Sequence, residues 1–440
     1  MTALYDRLAE AGTAFAGSGF EQLCLEMIAL KLREPESFHD HLCEPYWALP
    51  GGDLTGTGLE NYHTLGCQFN SQKDWSQVAR IIDEADIKTD EDALGKLFEE
   101  FLSHGQNGVS KKRGEYYTPN PLCRLVCKIA IGGRDKVDTL YDPTCGSGGL
   151  LIEAVRELGI ENIGHVYGQE LNANTADLSR LNIYLRNLPQ DKVSIATGDT
   201  LADPAFHLLG QCDCNVANPP YGAKWQGGKK SPFRDDPRFK DLPVMPPSNF
   251  ADWAFIAHIA SCLSQNGRAC LLDMAGSLFR SSEKLIRFHF LKQGLIKAVV
   301  HLPGKLFANT QIPVELILLE KCIADRSVYF LDASQILEEG KEPTTEQIDK
   351  IASMVMNRTQ EKYVSKIVYF ASPINSFDVD NYNLTPSWYI EQRPADPSPY
   401  EEVPIEEAIM EARKERRERD EKMTEIEDEL LRLLKDMKID

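Results

Sequence analysis

With 440 residues, 42% of them hydrophobic and 26% charged, the chain has the composition of an ordinary soluble globular protein and the length for two or three domains. Its formal net charge of −19 argues against a protein that grips a polyanion unaided through a basic surface. Either the substrate is not a nucleic acid, or basic residues are concentrated locally, or a partner supplies the grip.

Residues 1–112 are expected to form a mostly helical domain. Apolar residues recur at helical spacing over 23–32 (LCLEMIALKL) and 92–102 (DALGKLFEEFL), with Gly-rich loop sequence between them. No chemical signature marks this region, so packing and contact with a partner are its expected roles. Eleven cysteines run from Cys24 to Cys322 without framework or zinc-ribbon spacing, which fits reduced core thiols in a cytosolic protein. No charged-then-apolar leader opens the chain and no apolar run reaches the roughly 18 residues of a membrane span. A cytoplasmic protein without membrane contact is expected.

From 113 to 372 strand-like runs alternate with helical stretches. The runs are 137–141, 163–168, 193–197, 212–217, 268–274, 296–301 and 314–320. That alternation predicts an α/β fold, a mainly parallel sheet with helices on both faces, whose ligands bind at the strands' carboxyl ends. The first four strand ends carry unusual residues. After the first comes DPTCGSGG, residues 142–149, whose glycines let the backbone turn tightly and approach a ligand. The spacing is not GxGxxG, and Asp142 suits a cationic ligand better than a pyrophosphate. Glu170 at the second end can accept both hydroxyls of a ribose. Asp199 at the third could accept from an adenine amine. A solvated strand-end acid explains any one of these singly; three in order are harder to assign to chance.

The fourth run ends in Asn218-Pro219-Pro220-Tyr221-Gly222. Two prolines fix φ at about −65° and donate no N–H. Asn218 is left at the strand tip with its amide oxygen beside the Pro219 carbonyl, and a flat ring, Tyr221, follows. Two acceptors and a ring suit a planar group carrying an exocyclic amine, although a plain strand-terminating turn uses the same residue types.

Together these segments resemble an S-adenosylmethionine-dependent amino-methyltransferase. Residues 114–119 (GEYYTP) lie ahead of the glycine loop and NPPY after it, the motif order of γ-type DNA adenine methyltransferases. The resemblance is closer to the methylation subunit of type I restriction–modification systems. That family has a segment like 302–307 (LPGKLF) with 312–314 (IPV), and one like 383–389 (NLTPSWY). The resemblance implies a Rossmann-like, seven-stranded methyltransferase sheet, and transfer of a methyl group from S-adenosylmethionine to the N6 amine of a flipped adenine. It implies a catalytic set of Asn218, Pro219, Pro220, Tyr221 as stacking platform, and Phe307. For Phe307, core packing beside Leu306 is the equal alternative. The implied cofactor contacts are Tyr117 and Thr118, then Asp142, Thr144, Cys145, Gly146, Ser147 and Gly148. Glu170, Leu171, Asp199, Thr200 and Asn218 complete that set.

The loop 223–240 carries six Lys/Arg against two Asp, interleaved with Trp225, Phe233 and Phe239. Lys224, Lys229, Lys230, Arg234, Arg238 and Lys240 are therefore candidate contacts to double-stranded DNA; a solvated mobile loop is the alternative. Residues 325–372 add two strand-like runs, 328–331 and 366–370, as an edge elaboration. A Pro-rich linker, 373–404, leads to a charged helix, 405–440, with a narrow seam at Met423, Ile426, Leu430, Leu433 and Met437. The resemblance implies that this long C-terminal helix docks on a specificity subunit beside a second methylation subunit, with a restriction (nuclease) subunit as a further candidate partner; packing back on its own chain is the alternative. No metal is expected. The turn chemistry is shared by methyltransferases of glutamine amides, guanine amines and cytosine N4, and motif order favours adenine. A stand-alone or other defence-system adenine methyltransferase, and a non-catalytic scaffold with a vestigial pocket, are the remaining readings.

Overall fold

The computed structural model of the chain describes residues 118–307, 312–321, 325–370 and 382–391, plus helix α1 (Phe20–Arg33) and a few positions around it. Tyr117 and the expected terminal helix 405–440 lie outside the described residues. Residues Met1–Glu391 cluster as one compact unit and Gln392–Asp440 as another.

Helix α2 (Asn120–Ile131) starts with Pro at its first turn and stops at Gly132, in the left-handed region. Then β1 (Val137–Asp142), α3 (Gly149–Leu158), β2 (Ile163–Glu170), α4 (Ala173–Leu185) and β3 (Val193–Thr197) wind in one direction. The chain returns through β4 (Cys212–Ala217), α5 (Asp252–Cys262) and β5 (Leu263–Met274). A one-turn α6 (Gly276–Phe279), α7 (Lys284–Gln293), β6 (Ile296–Leu302), β7 (Val314–Glu320) and β8 (Ser327–Asp332) follow. Helix α8 (Thr345–Asn357), opened by a Thr344–Gln347 capping box, β9 (Ser365–Tyr369) and the short α9 (Pro386–Tyr389) complete the unit.

The strands form one nine-stranded sheet in the order β3-β2-β1-β4-β5-β7-β6-β8-β9. The expected seven-stranded sheet is thus extended by β8 and β9, the two runs assigned to an edge elaboration. β8 pairs with β6 in parallel, so the elaboration continues the sheet itself. β7 and β9 run antiparallel to their neighbours, and the other pairings are parallel. Buried side chains alternate between two cores, as strands covered on both faces require. Val216, Leu272 and Val300 face α2, α3 and α8; Ala217, Leu271 and Val299 face α5 and α7. Residues 382–390 also close the second core. Tyr389 stacks on Phe330 at 4.2 Å and the Leu384 N–H donates to the Leu278 carbonyl at 3.0 Å. This part of the expected linker is therefore packed structure. Helix α1 shares a smaller core with Leu181 and Leu185 of α4.

Candidate active site

The sheet reverses its winding between β1 and β4, and the crevice outside that switch point is where such folds bind ligands. All four unusual strand ends line it.

After β1 the loop is built by its own backbone. Buried Asp142 accepts the Thr144 N–H at 2.9 Å. Gly146 and Gly148 take φ of +55° and +85°, and a Cβ on Gly148 would stand 2.7 Å from the Ser179 hydroxyl. Only glycine fits there. The Glu170 carboxylate accepts the Gly146 N–H at 3.1 Å and the Asn172 N–H at 2.9 Å, tying the loop to the start of α4. A carboxylate at this strand end is the type of group that accepts ribose hydroxyls. Leu171 beside it is 69% exposed, an apolar platform at the crevice rim. A ribose acceptor, an apolar rim and an acid beneath the loop fit S-adenosylmethionine. Burial pushes the Asp142 carboxyl up to about 8; the Thr144 N–H and hydroxyl oppose this and the Glu170 charge adds to it.

The remaining loop residues divide. Cys145 is buried and its N–H donates to the Gln169 carbonyl at 2.9 Å; the Ser147 carbonyl accepts from Asn182 at 3.0 Å. Asp199 is exposed and caps its own turn, accepting the Leu201 and Ala202 N–H groups at 2.9 and 3.2 Å. Thr200 is turned inward, its hydroxyl donating to the Pro143 carbonyl at 2.6 Å. It joins two loops instead of facing a ligand with its side chain.

At the tip of β4 both ends of the Asn218 amide are held. Nδ2 donates to Thr118 Oγ1 at 2.8 Å, and the Tyr221 hydroxyl donates to Oδ1 at 2.6 Å. The expected outward acceptor therefore already carries one hydrogen bond, and its second lone pair is the one left for an amine. Thr118, expected at the cofactor, accepts from and so anchors the Asn218 amide. Phe307 is 4% exposed and lies in the core against which Tyr221 packs.

The loop after the turn is folded. Trp225 and Phe233 stack at 6.1 Å, Trp225 meets Phe239 at 5.4 Å, and the indole N–H donates to the Pro247 carbonyl. These rings extend the second core, because a Gly- and Pro-broken loop buries apolar surface wherever it can. Lys224, Lys229, Lys230, Arg234 and Lys240 are exposed.

Arg238 is the exception, at 6% exposure. It donates to the Thr200 and Leu201 carbonyls, each at 2.8 Å, and to the Asp236 carboxylate at 2.6 Å. Its position among phosphate-binding cations is thus corrected: it clamps the post-β4 loop to the post-β3 loop. It also faces His258 Nδ1 at 3.3 Å. A guanidinium can only donate, so Nδ1 is the acceptor and the ring proton sits on Nε2, 3.1 Å from the Tyr141 hydroxyl. Burial, with the Arg238 charge, lowers His258 to about 3 and keeps it neutral. Arg238→Met is expected to cost about 3–5 kcal/mol of stability by leaving Asp236 and two carbonyls unpaired. Denaturant unfolding checks this; unchanged stability with weakened DNA binding would return the residue to the surface role.

Sequence reasoning missed Asp252. It is 3% exposed and accepts the Gly222 N–H at 2.8 Å and Arg280 Nη2 at 2.7 Å. An acid opening the apolar run 252–260 was the available signal, and it reads equally as helix capping.

A sequence profile of the family described as N-6 DNA Methylase matches residues 89–397. The chain is 34% identical over 313 residues to the type I restriction enzyme MpnII methylase subunit of Mycoplasma pneumoniae, covering 68% of this chain and 57% of that protein. It is 30% identical to the MjaVII methylase subunit of Methanocaldococcus jannaschii, covering 71% and 56%. The chain thus spans a little over half the length of these curated relatives. A crystal structure of the type I restriction-modification system methyltransferase subunit from Streptococcus thermophilus aligns with a TM-score of 0.69 at 28% identity, over 84% of this chain and 80% of that one. A chain from a structure on assembly and conformational transition of the type I R-M system aligns over 99% of both, with a TM-score of 0.63 at 20% identity, a likeness of fold. Among the described residues, no helix is long and apolar enough to cross a membrane and no acidic, His or Cys cluster could hold a metal ion.

Proposed function

The chain belongs to the N-6 DNA methylase family, and on that footing we propose that it methylates the N6 amine of adenine in DNA as the modification subunit of a type I restriction–modification assembly. One observation carries the reading: the Asn218 amide, fixed at both ends, stands at the strand end next to the glycine loop held by Glu170. The cofactor, S-adenosylmethionine, supplies an electrophilic methyl group. Glu170, Leu171, Thr144 and the 146–148 backbone would hold it. Asn218 Oδ1 and the Pro219 carbonyl accept the amine hydrogens and favour a pyramidal nitrogen whose lone pair is free to attack. Positioning and charge stabilisation do the remaining work.

A paired adenine must leave the stack to reach this corner, and Tyr221 is the ring to receive it. Exposed Lys224, Lys229, Lys230, Arg234 and Lys240 are the proposed contacts to the strand it leaves. The specificity subunit, docked through 405–440 and shared with a second methylation subunit, would read the sequence, which accounts for an acidic chain. Incorporation of labelled methyl into adenine-containing duplexes by the complex with its specificity partner tests the whole reading. Labelled cytosine or protein in place of adenine would sink it.

Tyr221→Phe keeps the ring and removes the bond to Asn218, so kcat is expected to fall by about three- to tenfold, the worth of one hydrogen bond. Tyr221→Ala also loses stacking worth about 1–3 kcal/mol and should raise the KM for DNA. Equal steady-state constants for the two variants would remove stacking from the mechanism.

Asp142 makes cofactor binding pH-dependent. Its ordinary value is 3.8 and burial raises it to about 8, so the cofactor-free fold binds a proton that the unfolded chain has released. Its contribution to stability is present below the ordinary value and is lost as pH rises through about 8. A cationic ligand favours the charged carboxylate, so binding at neutral pH should release a proton, and affinity should climb with pH and level above about 8. Calorimetry in buffers of different ionisation enthalpy reads that proton directly, and a buffer-independent heat would refute it.

A further inference from the structure

Behind the catalytic turn lies a buried charge cluster that the proposed chemistry does not use. We infer that Asp252 and Arg280 form a positioning pair that holds the Asn218–Tyr221 turn in its reactive shape, an inference that rests on the function proposed above. Pro219 and Pro220 have no N–H, so anchorage of the turn falls on the amides that follow them. That of Gly222, at φ +59°, donates to Asp252 Oδ1 at 2.8 Å. The adjoining backbone is docked as well: the Ala251 N–H donates to the Ala223 carbonyl at 2.8 Å. An acid in the first turn of a helix ordinarily faces that helix's own N–H groups. Asp252 instead turns both oxygens away from α5, one to Gly222 and one to Arg280 Nη2 at 2.7 Å.

Arg280 is held from three sides. It lies 4.0 Å over the Phe250 ring, 3.3 Å from the buried Glu283 carboxylate, and against Asp252. Farther in, Arg287 donates to the Ser277 and Tyr382 carbonyls at 3.0 and 2.8 Å, linking α6 to the 382–390 segment. Asp273 completes the cluster, and burial, then the neighbouring Asp252 charge, pushes its carboxyl well up. The turn carrying Asn218 is thereby braced against the ends of β5 and α6, and not only by its own prolines.

The test uses the full chain in complex with its specificity partner, as wild type, Asp252→Ala and Asp252→Asn. Asp252→Ala is expected to lower kcat by about a hundredfold, the cost of displacing reacting groups by about 1 Å, with cofactor affinity and DNA KM little changed. Asp252→Asn keeps an acceptor for the Gly222 amide and should recover an intermediate kcat. Hydrogen exchange in peptides spanning 216–226 should quicken in the Ala variant and stay near wild type in the Asn variant. Wild-type exchange and wild-type kcat in Asp252→Ala would overturn the positioning role. So would a kcat loss matched by equal losses of cofactor binding and melting temperature, which would mark a purely structural residue. If the wild-type complex methylates no adenine, the proposed function fails, while the exchange measurement still decides whether Asp252 holds the turn.

Discussion

Asn218→Ala is expected to leave S-adenosylmethionine binding nearly intact while methyl transfer falls by at least about 10²–10³-fold, the cost of removing one preorganised group from a reacting centre. The loop that would hold the cofactor is fastened by Glu170 and Gln169, not by Asn218. The side chain itself contacts Thr118 and Tyr221, so its loss frees two neighbours at the tip of β4 without opening the sheet. Single-turnover transfer of labelled methyl, beside equilibrium cofactor binding, separates the two effects. A variant that still methylates at more than a tenth of the wild-type rate would mean that the amine is oriented elsewhere.

Glu170→Ala should act on the other half of the site. Its two oxygens accept the Gly146 and Asn172 amides and, in the proposed complex, the ribose hydroxyls. Hydrogen bonds to a charged group are worth about 1.5–3 kcal/mol each, so cofactor affinity should drop by about a hundredfold or more. Glu170→Gln, with one acceptor kept and the charge lost, should fall between. An Ala variant that binds cofactor within about threefold of wild type, a difference under about 1 kcal/mol, would show that the loop needs no carboxylate.

The central strands β4, β6, β7 and β8 lie where short apolar runs stand in the chain, because strands covered on both faces must be nearly continuously apolar. The four ligand-edge ends were legible for a related reason: Asp142, Glu170, Asp199 and Asn218 interrupt or follow such runs where a core position would be apolar. What the chain did not disclose is pairing across distance. Nothing local to 314–320 says that it slips between two earlier strands. Arg238 lies in the same basic loop as Lys240, and only its burial against Thr200 and Leu201 separates clamp from phosphate contact. Trp225 and Phe233 read as rings for bases because composition cannot tell a ring stacked on its neighbour from one awaiting a ligand. The hydroxyl of Tyr221 on Asn218 is likewise a matter of how the turn closes.

The place of β7 between β5 and β6 has a bearing on how the protein is made. As the chain leaves the ribosome, β1 to β5 can assemble from neighbours already synthesised, and the crevice with them. β6 emerges next but has no seat until 314–320 arrives to bridge it to β5. At about 5–20 residues per second that interval lasts on the order of a few seconds, with the apolar flank of β5 open to passing chains. Ribosome-bound intermediates stalled between Leu302 and Val314 should therefore recruit chaperones, and release of Glu320 should end that recruitment.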